Sequence, residues 1–336
     1  MKSTTYSKYS KKLLFTTFNC AKSQLIPLQD MQGIHNDDLI MALTGLAGGI
    51  LNNGSTCGVV IGGAISSAMI RDKELSGKWT LEDEIQLLSE IKEDVSWFED
   101  RFGTSLCRER EELNYQRITV LGLLNPQKAK GCVARSGASM DYFVEKYAAK
   151  NSPHPSLPLA KHPRKGAESG EGTVFPSPVS GRAPFEYFRA RGEGSEHCAQ
   201  KILGEIREKT GIGNEKLEQI SVALDGGIGL TGGGCGALSG ALMALGLKYA
   251  LDPQKTEPKK LKNIYRSMDS EFFSMAKILV KNFIKEFEYF ECSRITGTKF
   301  KDWAQFSQFR NSPSCDKLNN FLVKKTVEII NFKKAS

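Results

Sequence analysis

Cysteine is the residue type with the most chemistry to offer in this chain. There are eight, falling into two sets of four: Cys20, Cys57, Cys107 and Cys132, then Cys198, Cys235, Cys292 and Cys315. Four thiolates complete the shell of a zinc ion or of a [2Fe–2S] or [4Fe–4S] cluster, because soft sulfur suits these metals. Two thiols alone can cycle between dithiol and disulfide, and a buried cysteine can also serve only as a small apolar side chain. Neither set contains a Cys-x-x-Cys pair, so the local ligand loops of ferredoxins and zinc ribbons are absent. Ligands spaced roughly 25 to 60 residues apart meet only where a folded domain gathers them.

The two sets are copies of one pattern. An offset of 178 residues separates Cys20 from Cys198 and Cys57 from Cys235, and offsets of 185 and 183 separate the last two pairs. Around the second cysteine, GGILNNGSTCGVVIGGA (Gly48 to Ala64) aligns without a gap on GGIGLTGGGCGALSGAL (Gly226 to Leu242). Gly54, Gly58 and Gly62 thereby pair with Gly232, Gly236 and Gly240. Glycines and cysteines held in one register indicate an internal duplication. Around the first cysteine, NCAKSQL matches HCAQKIL, which sets Asn19 opposite His197. A ligand needed by both copies would not be His in one and Asn in the other, so His197 reads as a tuning or surface residue.

A cysteine, then Gly-x-Cys-Gly-x-x-x-Gly, then two further single cysteines resembles the C_GCAxxG_C_C family of redox-active proteins, here as a tandem pair of modules. That family is similar to the non-haem part of split-Soret cytochromes c, which implies a helical fold able to hold an iron–sulfur centre. Two departures stand out. Cys57-Gly58-Val59 replaces the family's Cys-Gly-Ala, and the Phe-Gly-Ser/Thr-x-x-Cys approach kept at Phe102, Gly103, Thr104 and Cys107 is missing before Cys292.

The elements that must position these cysteines read as helices. Leu81, Ile85, Leu88, Ile91 and Val95 form an apolar stripe behind Thr80, a predicted N-cap with Glu82 and Asp83 in the first turn. Ile264, Met268, Phe272, Met275, Leu279, Phe283 and Phe287 suggest one longer helix in the other half. The Gly-rich segments end a helical pattern and precede helix-compatible sequence, placing Cys57 and Cys235 at helix N-termini. There the positive end of the helix dipole favours thiolate, so either could be the low-pKa member of a dithiol, with Cys20 or Cys198 as resolver. Gly58 with Gly62, and Gly236 with Gly240, would let another helix approach closely. No run alternates with period two. The expected fold is all-α, two tandem homologous helical-bundle modules with a core each: residues 1–150, a Pro/Gly/Ser-rich linker at 151–184, and residues 185–336.

Composition narrows the function. The net charge of +8 is spread over short, dispersed Lys/Arg clusters with no interleaved aromatics, which does not read as a nucleic-acid face. The apolar run from Leu13 to Phe18 is too short for a secretory segment, and no membrane span is expected, so the chain reads as cytoplasmic, where cysteines serve as ligands or working thiols. Without Cys-x-x-Cys-His, c-type haem is excluded. Gly227-x-Gly229-x-x-Gly232 matches a dinucleotide fingerprint, but a helical pattern precedes it where a strand is required. No Walker A sequence, His-Glu-x-x-His pair or nucleophile elbow is present. The expectation is electron transfer to a redox partner protein through clusters or thiols, with the halves forming an intramolecular pseudo-dimer. The alternative is a structural zinc or protein-interaction module without a redox role.

Overall fold

The structure, a computed structural model, describes residues 4–109, 126–148, 197–252 and 256–332. The linker expected at 151–184 lies outside the described residues. In the first half the helices are α1 (Thr5–Thr17), α2 (Cys20–Gln32), α3 (Asp37–Ala42), α4 (Gly58–Glu74), α5 (Leu81–Phe102) and α6 (Pro126–Ala148). In the second they are α7 (Cys198–Thr210), α8 (Glu215–Ile220), α9 (Gly236–Tyr249), α10 (Pro258–Ser267), α11 (Glu271–Phe287), α12 (Cys292–Thr296), α13 (Trp303–Arg310) and α14 (Pro313–Phe332). Among the described residues there are no strands, only two isolated bridges, Thr56 with Leu106 and Gly234 with Glu291. The fold is all-α, and α7, α8, α9, α11 and α14 of the second half repeat the order of α2, α3, α4, α5 and α6 of the first.

Local sequence explains most helix ends. Thr80 and Asp83 form a reciprocal capping box at the start of α5, the Thr80 hydroxyl accepting from Asp83 N and the Asp83 carboxylate accepting from Thr80 N at 2.9 Å. The apolar stripe from Ile264 to Phe287 is divided between two helices. Met268 adopts a left-handed conformation at the end of α10, and the Ser270 side chain caps α11 by accepting from Phe273 N. Helical periodicity survives such a break because both segments bury the same side.

Between α3 and α4 the chain runs through a 3-10 turn, Leu43–Leu46, and then a turn of opposite hand. Five successive residues, Gly48 to Asn52, have φ between 49° and 75°, and Gly226 to Leu230 repeat this with φ between 56° and 80°. Left-handed backbone costs a non-glycine L-residue roughly 1–2 kcal/mol, yet Ile50, Leu51 and Asn52 adopt it in one half and Ile228 and Leu230 in the other. Matching hydrogen bonds hold both turns, Gly54 N to Gly48 O (3.1 Å) and Gly232 N to Gly226 O (2.9 Å). The reversal delivers the chain to the N-terminus of α4 or α9 with Cys57 or Cys235 as the capping residue.

The two halves pack reciprocally. Helix α4 lies against the 3-10 turn Ser221–Leu224 and α8, and helix α9 lies against Leu43–Leu46 and α3. In place of a core in each half, the buried apolar residues of both join in one large cluster, with a small satellite of Leu88, Leu230, Phe300 and Phe306 that also crosses between halves. Gly234 N donates to Thr56 Oγ1 at 2.8 Å, although these two positions correspond in the duplication. Equivalent positions touch one another only near a twofold axis. The halves are therefore related by a pseudo-twofold passing close to the second cysteines.

Beside that axis Arg108 Nη1 binds Glu291 Oε1 at 2.5 Å, from opposite halves, with the Arg108 side chain 28% exposed and that of Glu291 3% exposed. Arg108→Met should leave the Glu291 carboxylate buried without this partner and destabilise the chain by about 2–3 kcal/mol, below the range for a fully buried pair because Arg108 is partly solvated. Urea unfolding of Arg108→Met, Glu291→Gln and the double variant would measure this, with the double variant expected to recover much of the loss.

Candidate cysteine site

The second and third cysteines of each half are joined through backbone. Cys57 N donates to Ser105 O (2.7 Å) and Cys107 N to Ser55 O (2.9 Å); in the second half Cys235 N donates to Phe290 O (2.8 Å) and Cys292 N to Gly233 O (2.6 Å). These bonds flank the two isolated bridges. The lost Phe-Gly-Ser/Thr approach before Cys292 therefore did not cost the arrangement, since backbone groups make it whatever the side chains.

The first cysteine comes from the neighbouring helix. Cys20 opens α2 behind its N-cap Asn19, and Cys198 opens α7 behind His197. A Cβ at Gly58 would lie 2.5 Å from Cys20 Sγ, and one at Gly236 would lie 2.8 Å from Cys198 Sγ. Gly62 and Gly240, one turn further, face the backbone of Ala21 and Ala199. Gly54 and Gly232, both with positive φ, sit against Arg108 and Ser293, the residues that follow Cys107 and Cys292. The glycines singled out in the sequence thus border the cysteines or the helix contact that carries them.

Cys315, in the first turn of α14, completes the second set. Cys198, Cys235, Cys292 and Cys315 all line one cavity, together with Lys201 and the largely buried Arg310. In the first half Cys20, Cys57 and Cys107 repeat the arrangement, and Cys132 is half-buried on α6. Among the described residues, no group of three or more His, Cys, Asp or Glu side chains is spaced to close on a single metal ion.

Burial reverses the thiolate expected at the helix N-termini of the second half. Burial pushes the pKa of Cys235 up to about 12, outweighing the backbone N–H groups of Leu238 and Ala237, which favour the thiolate. Burial raises Cys198 well above the ordinary thiol value, with the Asp225 carboxylate adding to the effect. Burial and the proximity of Cys235 raise Cys292, and burial raises Cys315. In the metal-free chain these are thiols.

His197 is wholly buried, which removes the surface alternative. Its Nδ1 pairs with Asp225 Oδ2, its Nε2 lies 2.8 Å from Glu84 Oε2, and its ring packs on Trp303. Burial opposes its charge, but Asp225 and Glu84 prevail and raise its pKa to about 9. Sequence reasoning found neither carboxylate. Asp225 carried a weak signal, standing where the first half has Ala47, immediately before the glycine register shared by the two halves.

Among the described residues no helix is long and apolar enough to cross a membrane. No curated protein and no solved structure gives a match. The family model described as "Putative redox-active protein (C_GCAxxG_C_C)" matches residues 18–150 and again residues 196–329. These stretches cover most of the chain and contain all eight cysteines, so the chain belongs to the C_GCAxxG_C_C family of redox-active proteins, with two copies of the family's module in one polypeptide.

Proposed function

We propose that the chain is an electron carrier in which the second cysteine set holds an iron–sulfur cluster. The observation that carries this reading is the convergence of Cys198, Cys235, Cys292 and Cys315, from four separate elements, on one cavity. When bound, such a cluster supplies reversible one-electron transfer. The cysteines would hold its irons, and Lys201 and Arg310 would offset the negative charge of four thiolates.

The donor set fits. Thiols that burial keeps protonated ionise when a cationic centre takes their sulfur, so the raised pKa values oppose a free reactive thiolate more than they oppose a metal-bound one. With zinc–sulfur bonds of about 2.3 Å, a zinc site draws all its sulfurs around one point. The four thiols here border one shared cavity, the space that a centre made of several irons would occupy. The first half, with Cys20, Cys57, Cys107 and Cys132, is the candidate for a second centre. In this reading the halves work as an intramolecular pseudo-dimer in the cytoplasm, exchanging electrons with a separate redox protein.

Anaerobic purification with iron, acid-labile sulfide and zinc analysis tests the reading. Iron and sulfide in matching amounts with a broad visible charge-transfer band are expected, and Cys235→Ser should lose at least half of the iron. Comparison with Cys57→Ser assigns any remainder to the first half. Zinc without iron would replace this reading with a structural zinc module, and metal-free protein with readily oxidised thiols would replace it with dithiol chemistry.

A further inference from the structure

Cys198 is tied into a chain of buried polar groups that crosses between the halves. Asp225 Oδ1 accepts from both Cys198 N and Cys198 Sγ, each at 3.0 Å. The other oxygen of Asp225 binds His197 Nδ1, and the opposite ring nitrogen meets Glu84 Oε2 at 2.8 Å. Glu84 belongs to α5 of the first half, 113 residues earlier, and Gln219 Nε2 donates to its second oxygen at 2.9 Å. Glu84, His197 and Asp225 are each fully buried.

From this geometry we infer that the second cysteine site is composite: Glu84 of the first half is a positioning residue that fixes Cys198 through His197 and Asp225. Removing two carboxylates and an imidazole from water is costly, and apolar side chains of similar volume would often fill such a space at lower cost. What the polar chain adds is direction. With a carboxylate at each nitrogen the imidazole has one orientation, and that orientation holds the Asp225 oxygen that receives the Cys198 thiol.

The first half builds the surroundings of its own first cysteine differently, with Gly48 N donating to Cys20 Sγ at 3.5 Å. Asn19 stands in place of His197 and caps α2 instead, its Nδ2 donating to Leu43 O and Thr44 O, and Ala47 stands in place of Asp225. Counting back from the helix ends Phe102 and Phe287 sets the exposed Asp269, in the break between α10 and α11, in the position of Glu84. The link from Glu84 to Cys198 thus runs through residues whose first-half counterparts differ.

The inference concerns the metal-free chain and does not depend on which cofactor binds. It is tested by alkylating the reduced, metal-free full chain with iodoacetamide and following each cysteine by peptide mass spectrometry. Glu84→Ala should speed modification of Cys198 at least fivefold while Cys20 changes less than twofold. Glu84→Gln, which keeps the shape and one hydrogen bond, should give an intermediate rate, and it keeps the comparison available if Glu84→Ala fails to fold. His197→Asn, which installs the first half's residue, should act in the same direction as Glu84→Ala. An unchanged Cys198 rate, or a rise shared equally by Cys20, would overturn the inference, the latter by assigning Glu84 to general packing.

Discussion

Residues 197–332 produced without the first half are expected to show no cooperative thermal transition by circular dichroism and poor dispersion of their NMR amide signals. The reason is the shared core. Leu242 and Phe272, both buried, close on Gly45 from the other half, and Gly246 of α9 lies against the backbone of Met41 and Ala42. Exposing two side chains of that size forfeits about 3–6 kcal/mol. The same cut removes Glu84 from His197 and Arg108 from Glu291, leaving buried charges short of a partner. Domains are stable by only about 5–15 kcal/mol in all, so the loss consumes most or all of the margin. A sharp transition in the isolated half would mean that the continuous cluster is divisible in energy although not in space.

Gly62→Ala should be strongly damaging, costing about 3 kcal/mol and lowering Tm by roughly 4 °C. Ordinarily Ala in place of Gly inside a helix stabilises by about 0.5–1 kcal/mol, so the measured loss is net of that gain. The new Cβ would press into the carbonyl oxygen of Ala21, a backbone atom that no rotamer change can move aside. Relief requires α2 and α4 to separate, which carries Cys20 away from Cys57. The corresponding Gly240→Ala is expected to cost less, since its Cβ would stand 2.9 Å from Ala199 O, a looser fit than at Gly62. Gly33→Ala provides the control. That glycine has φ of +61° with nothing within 4 Å, so only backbone strain of about 1 kcal/mol is expected. Scanning calorimetry of the three variants checks both the order and the sizes, and equal losses at Gly62 and Gly33 would refute the packing argument.

The parts of this molecule that were legible in the sequence are those that repeat. One gapless register of Gly and Cys led to the duplication, to the helix that follows Cys57 and Cys235, and to the small-residue faces at Gly58, Gly62, Gly236 and Gly240. The Thr80 cap was legible because its chemistry lies within four residues. What escaped notice does not follow from local pattern. Ile50, Leu51 and Asn52 are ordinary residues in a left-handed turn, and their types give no warning of that conformation. The pairing of Glu84 with His197 spans 113 residues, and His197 stands opposite Asn19 in the duplication, so neither proximity nor repetition could suggest it. The thiolate expected at Cys235 failed for a different reason: helix position is visible in sequence, whereas the depth of burial that overrides it depends on both halves assembled.

The contact between Thr56 and Gly234 also bears on self-association. In a symmetric pair of first halves, Ser55 would stand where Gly233 now does, and a Cβ at that position runs into Thr56 Oγ1. In a symmetric pair of second halves, Gly234 would face Gly234 and the Thr56 hydroxyl that receives its N–H would be missing. At this contact each half is thus better matched to the other than to its own copy. Carrying both on one polypeptide guarantees them in equal number, and the pairing is insensitive to dilution.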